Sequence, residues 1–152
     1  MSLDSGLPNF LGGLYEAVYD RDRWLTALAE VIRLSGSQMV VLGSVDLRKE
    51  AFTDMQFHGP EGSSVETGIR ELDGMAPLDP SLKWAHANPA GGMCETAAIV
   101  PKQDHRDHEF LKWSRSRFGT MHWRVFYTEP ADDLSFSVGY HTSAESGPPT
   151  RE

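Results

Sequence analysis

Only one cysteine, Cys94, occurs among the 152 residues of the chain. A lone cysteine excludes an internal disulfide and fits a reducing cytoplasm. Long apolar runs are also missing. Stretches such as residues 39–42 are far too short to span a bilayer. No basic segment leads into an apolar one near the start, so no signal peptide is expected. Basic residues are scarce: Lys and Arg number 14 against 22 Asp and Glu, a formal charge of −8. Holding phosphates needs clustered Lys and Arg, so this chain by itself is not expected to bind nucleic acid. Signatures of chemistry are absent as well. There is no G-x-S-x-G, no Walker loop and no G-x-G-x-x-G. The residues around Cys94 do not match N-C-R-F, the pattern of a flavin-reactive cysteine. No cofactor is expected, and there are no internal repeats.

What is present is ordinary for a soluble globular chain: 39% hydrophobic and 24% charged residues. The length suits one domain burying roughly 70% of its unfolded surface. Its centre is the irregular stretch at residues 76–93. Asp79-Pro80 reads as a helix start, an acceptor for orphan backbone N–H groups followed by a residue whose fixed φ suits the first helical position. Asn88-Pro89 ends that helix, because the residue before proline is pushed out of the α region. Gly91-Gly92 turns the chain.

On either side the periodicities alternate. Asn9 can cap a helix whose stripe is Phe10, Leu11, Leu14, Tyr15 and Val18. Asp20 can cap a second, carrying Trp24, Leu28, Val31 and Ile32, with Gly36 just past its end. Residues 39–45 and 51–57 read as an antiparallel hairpin, with Thr53, Met55 and Phe57 on one face. Ser63-x-x-Glu66 is a capping-box pattern opening a helix through Val65, Ile69 and Leu72, with Gly74 as its stop. A short strand is expected around residues 93–95. Residues 104–118 form a helix with Asp104, Asp107 and Glu109 early and Lys112, Arg115 and Arg117 late, the order the helix dipole favours. Met121, Trp123, Val125 and Tyr127 alternate on one closing strand, and Leu134, Phe136, Val138 and Tyr140 on the next. After His141 the composition turns to Ser, Gly, Pro and Glu. The predicted fold is α+β: a five-stranded antiparallel sheet with flanking helices. One face carries the Asp79 segment and the other the N-terminal helices.

Candidate chemistry is sparse. His105-x-x-His108 places two imidazoles close together, but a metal site needs three or four converging ligands and no third is evident. Cys94 in a strand reads as a small hydrophobe rather than a nucleophile. Trp84, Trp113 and Trp123, with Met55, Phe57 and Met93, are enough aromatic and thioether surface either for a plain core or for an apolar cavity.

Several motifs resemble a known family. Residues 14–24, LYEAVYDRDRW, followed by Leu28 and the helix to Gly36, resemble the opening of the N-terminal sensor domain of bacterial LuxR-type transcription regulators. Asp79-Pro80 with Pro89 and Gly91 is similar to that family's central D-P…P-G segment. Glu109-Phe110-x-x-Trp113 with Phe118-Gly119 resembles its late helix, and residues 146–150, SGPPT, resemble the stretch where the sensor gives way to a linker. The resemblance implies a PAS- or GAF-like sensor over residues 1–141, with a helical pair at 9–36 and a tail or linker at 142–152. It implies a cytoplasmic, bacterial regulatory role, without catalysis. The helix-turn-helix DNA-binding domain that normally follows is absent from this sequence. Departures matter: residues 69–74, upstream of the D-P pair, lack the aromatics of the acyl-homoserine-lactone sensors.

The expected site is a cavity between the Asp79 helix and the sheet, bounded by Met55, Phe57, Trp84 and Trp123, with Met93 at the rim. Asp79 is either a helix cap or a direct ligand contact. The expected partner is a small, mostly apolar molecule. LuxR-type regulators commonly read two-fold sites, so a homodimer through the N-terminal helices is also expected, with Leu7, Phe10 and Leu11 at an exposed chain end. Two alternatives stand beside this reading: a small enzyme using Cys94 or a histidine, and a dimerisation module without a ligand.

The charge balance generates one prediction. In a fluorescence anisotropy titration at physiological salt, the isolated chain leaves labelled duplex DNA unbound. Salt-sensitive micromolar binding would contradict it.

Overall fold

Asp20 opens α1 (Arg21–Ser35), its carboxylate accepting the Asp22 N–H at 3.1 Å, and Gly36 closes it in the left-handed conformation. Both are the boundaries its sequence implies. The computed structural model describes residues 12–13, 16 and 19–148. Most of the helix expected at 9–18, and Leu7, Phe10 and Leu11 with it, lie outside the described residues.

The chain then forms the hairpin β1 (Met39–Asp46) and β2 (Ala51–His58), the helix α2 (Ser63–Met75), and α3 (Pro80–Ala87). After these come β3 (Gly92–Glu95), the one-turn α4 (Thr96–Ile99), α5 (Glu109–Phe118), β4 (His122–Tyr127) and β5 (Leu134–Thr142). The five strands make one sheet in the order β2-β1-β5-β4-β3, antiparallel at every pairing. This is the α+β architecture the sequence predicts. The register Phe57↔Val41↔Gly139↔Val125↔Cys94 runs across all five strands and sets one face. That inner face meets α2, α3 and α5. The outer face carries α1 over Val40 and Leu42.

Several local expectations give way to tertiary constraints. The Ser63 capping box is not used: Gly62 precedes α2 with no side-chain cap, and Ser64 Oγ instead donates to the carbonyls of Ser116 and Arg117 on α5. Gly74 does not stop α2, which runs to Met75 and into a 3-10 turn, Ala76–Leu78. Ile69 is 42% exposed, whereas Val65 and Gly68 are buried. Helix α5 starts at Glu109 rather than 104; Asp104 belongs to a separate 3-10 turn, so His105 and His108 never share a helix face.

Strands show the same effect. Asp54, with φ of 50°, is an extra residue in β2 between the pairs Leu42↔Gln56 and Ser44↔Thr53. This bulge breaks the period-2 alternation. Met55 and Phe57 keep the inner face, but Phe52 joins them there while Thr53 turns to the other side, its hydroxyl donating to the Ser44 carbonyl. In β5 the expected apolar face is the outer one. Val138 and Tyr140 pack with Leu28, Val40 and Leu42 under α1, and Leu134 and Phe136 are exposed. Ser135, Ser137, Gly139 and His141 face inward. β5 is central, so its inward parity follows from pairing to β1 and β4, not from its own hydrophobicity.

Helix α2 crosses α5 at Gly68. A Cβ there would lie 2.6 Å from Phe118 Cζ and 2.8 Å from Arg117 Cβ, while one at Gly74 would meet nothing within 4 Å. One substitution in one helix therefore has two signs. Gly68→Ala is expected to destabilise by about 1–3 kcal/mol through overpacking. Gly74→Ala is expected to stabilise by up to about 1 kcal/mol through helix propensity. Urea denaturation of the two variants checks this, and equal shifts would refute the close crossing.

Candidate functional site

Small residues on the central strands make room on the inner face. Gly43, Ser137 and Gly139 line up on β1 and β5, where larger side chains would fill the space beneath the helices. The Met55 sulfur lies over Gly43, and the His141 ring leans over Gly139, its Nε2 being 2.9 Å from where a Cβ would stand. The result is a cavity of about 60 Å³ between sheet and helices. Its floor is Met39 and Val41 on β1, Met55 and Phe57 on β2, Trp123, Val125 and Tyr127 on β4, and the small β5 residues with His141. Its walls are Leu72 from α2, Asp79 and Ser81 at the start of α3, and Phe110, Trp113, Ser114 and Phe118 from α5.

The wall is held by aromatic packing and by one clasp. Phe118 stacks on Phe57 with centroids 5.9 Å apart and meets Trp113 edge-on at 5.3 Å. Glu71 of α2 accepts three donors from α5: Trp113 Nε1 at 2.9 Å, Arg117 Nε at 2.8 Å and an Arg117 terminal nitrogen at 2.7 Å. These hydrogen bonds, Arg117 first, hold the Glu71 carboxyl below its ordinary range.

The polar side of the cavity centres on Asp79. Its carboxylate is the N-cap of α3, accepting the Ser81 N–H at 2.8 Å, with Pro80 in the first turn, as Asp79-Pro80 in the sequence implies. Asp79 is buried, and burial raises its pKa to about 6 despite the opposing hydrogen bonds from Ser81. Ser81 Oγ and Tyr127 Oη lie 2.7 Å apart, joining α3 to β4. Burial and then the Asp79 charge raise the Tyr127 hydroxyl well above its ordinary value. The same two causes push the buried Cys94 thiol up to about 12. A thiol that stays protonated is a poor nucleophile.

Two further groups have no partner. Trp123 Nε1 and His141 Nδ1 are both enclosed and neither finds a hydrogen-bond partner among the described residues. The His141 residue, next to the end of the central strand β5, keeps a little surface, but its ring is sealed enough that burial lowers its pKa to about 4. A buried donor or acceptor left unpaired costs about 1–3 kcal/mol.

Of the six side chains the sequence singles out, Met55, Phe57, Asp79 and Trp123 line this cavity. Trp84 does not. It is half-buried and packs against Tyr127, centroids 6.4 Å apart, with Gly92 leaving room beside it. Met93 is 50% exposed on the outer face opposite Phe126, because strand parity puts Cys94 inward. Ser81, Tyr127 and His141 are the polar liners that sequence reasoning passed over. The available signal for His141 was Gly139, since a glycine inside a strand marks close approach on its face. Among the described residues no group of three or more His, Cys, Asp or Glu is placed to hold a metal ion. His105 donates through Nε2–H to the Val100 carbonyl, 2.8 Å away, and its ring meets His122 edge-on. Among the described residues no helix is long and apolar enough to cross a membrane.

Asp79 and His141 titrate against each other. Folding raises the Asp79 pKa, so its contribution to stability is present at acid pH and is lost as pH rises through about 6. Folding lowers the His141 pKa, so its contribution is present above about 6.5 and is lost as pH falls towards about 4. Each is on the order of 3 kcal/mol, and the two nearly cancel. Denaturation at steps from pH 7 to 4.5 should separate them. Relative to the parent chain, Asp79→Asn loses stability on acidification, and His141→Leu gains it. Parallel curves for all three proteins would refute the burial of both groups.

Neither a protein-family model nor a curated protein sequence matches the chain. Its fold is similar to the crystal structure of the VqsR LBD domain from Pseudomonas aeruginosa. The match has a TM-score of 0.67 at 16% sequence identity and covers 92% of this chain and 82% of that one.

Proposed function

We propose that this chain is a non-catalytic, small-molecule-sensing domain of the kind that opens LuxR-type transcription regulators. The observation that carries the reading is the cavity: an apolar space on one sheet face, walled by three helices and holding a buried carboxylate. Largely apolar sites with a few fixed polar groups suit small ligands. The short sequence motifs around Trp24, Asp79-Pro80 and Trp113 support the reading, and so does the fold shared with a domain designated an LBD. Within the enzyme alternative, which uses Cys94 or a histidine, the Cys94 branch is weakened, because Cys94 is buried and its thiol raised.

At about 60 Å³ the cavity is smaller than the ~150 Å³ void that admits benzene in an engineered core. A ligand therefore displaces side chains as it binds. Met39, Met55 and Leu72 are the lining residues best suited to yield, being unbranched at Cβ, and the thioethers adapt most readily.

A second reading draws on a separate observation. Met93, Phe126, Leu134 and Phe136 are exposed together on the outer face beyond the cover of α1, which favours an interaction module. One experiment addresses both. With methyl-labelled methionine, benzene titration is expected to shift the Met39 and Met55 resonances and leave Met93 in place. Self-association would instead move Met93 on dilution. If benzene moves neither Met39 nor Met55, the sensor reading fails.

A further inference from the structure

Resting on the reading of this cavity as a ligand site, the inference concerns what the ligand carries. Trp123 and His141 are register partners across β4 and β5, so their side chains stand side by side on the inner face. Both line the cavity, and each carries an enclosed ring nitrogen without a partner among the described residues. Other polar liners are already engaged: Ser81 with Tyr127, Ser114 with Thr120, and Ser137 with the Gly43 carbonyl. Trp123 Nε1 and His141 Nδ1 are therefore the enclosed polar atoms lining this cavity that have no partner among the described residues.

We propose that Trp123 Nε1–H and His141 Nδ1–H together read one neutral acceptor oxygen, a carbonyl, on an otherwise apolar ligand. An indole nitrogen only donates, which makes the ligand group an acceptor. His141 is neutral near pH 7, and in its Nδ1–H tautomer it donates to the same oxygen. Asp79 lines the same cavity, and a carboxylate ligand would bring a second negative charge into a buried space. A ketone, ester or amide oxygen satisfies both nitrogens without that charge. Trp123 and His141 are thus specificity-determining, and the apolar floor supplies affinity without selection.

Three probes of similar size separate the possibilities: acetophenone, ethylbenzene, which lacks the oxygen, and benzoate, which carries a charge. Binding to the full chain is followed at pH 7.5 through the Trp123 indole and His141 ring nitrogen resonances. Acetophenone is expected to bind roughly tenfold more tightly than ethylbenzene, the effect of one net hydrogen bond, and to move both resonances. Benzoate is expected to bind more weakly than acetophenone. His141→Leu and Trp123→Phe should each remove the preference for acetophenone while retaining ethylbenzene. Should Trp123→Phe fail to fold, the parent resonances and His141→Leu still decide the matter. Equal binding of acetophenone and ethylbenzene, unmoved by the variants, overturns the proposal and leaves the cavity reading standing. Benzoate binding as tightly as acetophenone overturns the neutral-acceptor assignment. If no probe binds to a chain with a dispersed native spectrum, both the cavity reading and this proposal fall.

Discussion

The buried carboxylate of Asp79 is the constraint around which the site is arranged. As N-cap it accepts the Ser81 N–H and so starts α3 at Pro80. Ser81 then stands 2.7 Å from the Tyr127 hydroxyl, which joins the helix to the strand below it. A carboxylate in an apolar setting resists ionisation, and its charge reaches Tyr127 and Cys94, raising both. One side chain thus sets a helix boundary, a helix–sheet contact and the electrostatics of a cavity wall. The sequence offers helix capping and ligand contact as alternatives for Asp79. Its position at the cavity edge makes them compatible, since a carboxylate has two oxygens and several acceptor sites.

The opposite wall depends on a different kind of contact. Trp113 and Arg117 of α5 converge on Glu71 of α2, and Phe118 stacks on Phe57 of the sheet. The Glu71 pair lies near the surface, where an ion pair contributes little to stability. Its effect is geometric: three donors on one carboxylate fix the spacing of the two helices over the cavity. Gly68, where the helices cross, leaves room for their close approach.

Much of the fold was legible because it rests on local chemistry. Asp20, Gly36, Asp79-Pro80 and Asn88 mark helix ends by backbone rules that act within a few residues. The inward run of Trp123, Val125 and Tyr127 was legible because one face of β4 is buried and the other is not. β5 misled for the opposite reason. It is apolar on the face under α1 and carries glycine and serine toward the cavity, so hydrophobicity pointed away from the site. Trp84 and Met93 were misplaced by similar logic. Size and apolarity nominated them, while the packing of α3 and the parity of β3 put them elsewhere.

The amino-acid sequence by itself determined the element types, most helix boundaries, the acidic surface and the presence of enough apolar side chains for a core. These follow from interactions between residues close in the chain or from composition alone. Tertiary structure decided which residues share the cavity. Inward parity at Gly139 and His141 comes from pairing with strands far away in sequence. The bulge at Asp54 brings Phe52 onto the inner face, and the loss of hydrogen-bond partners at Trp123 and His141 arises only when the helices close over the sheet. A side chain's own chemistry is local, but whether its polar atoms are satisfied depends on everything packed around it.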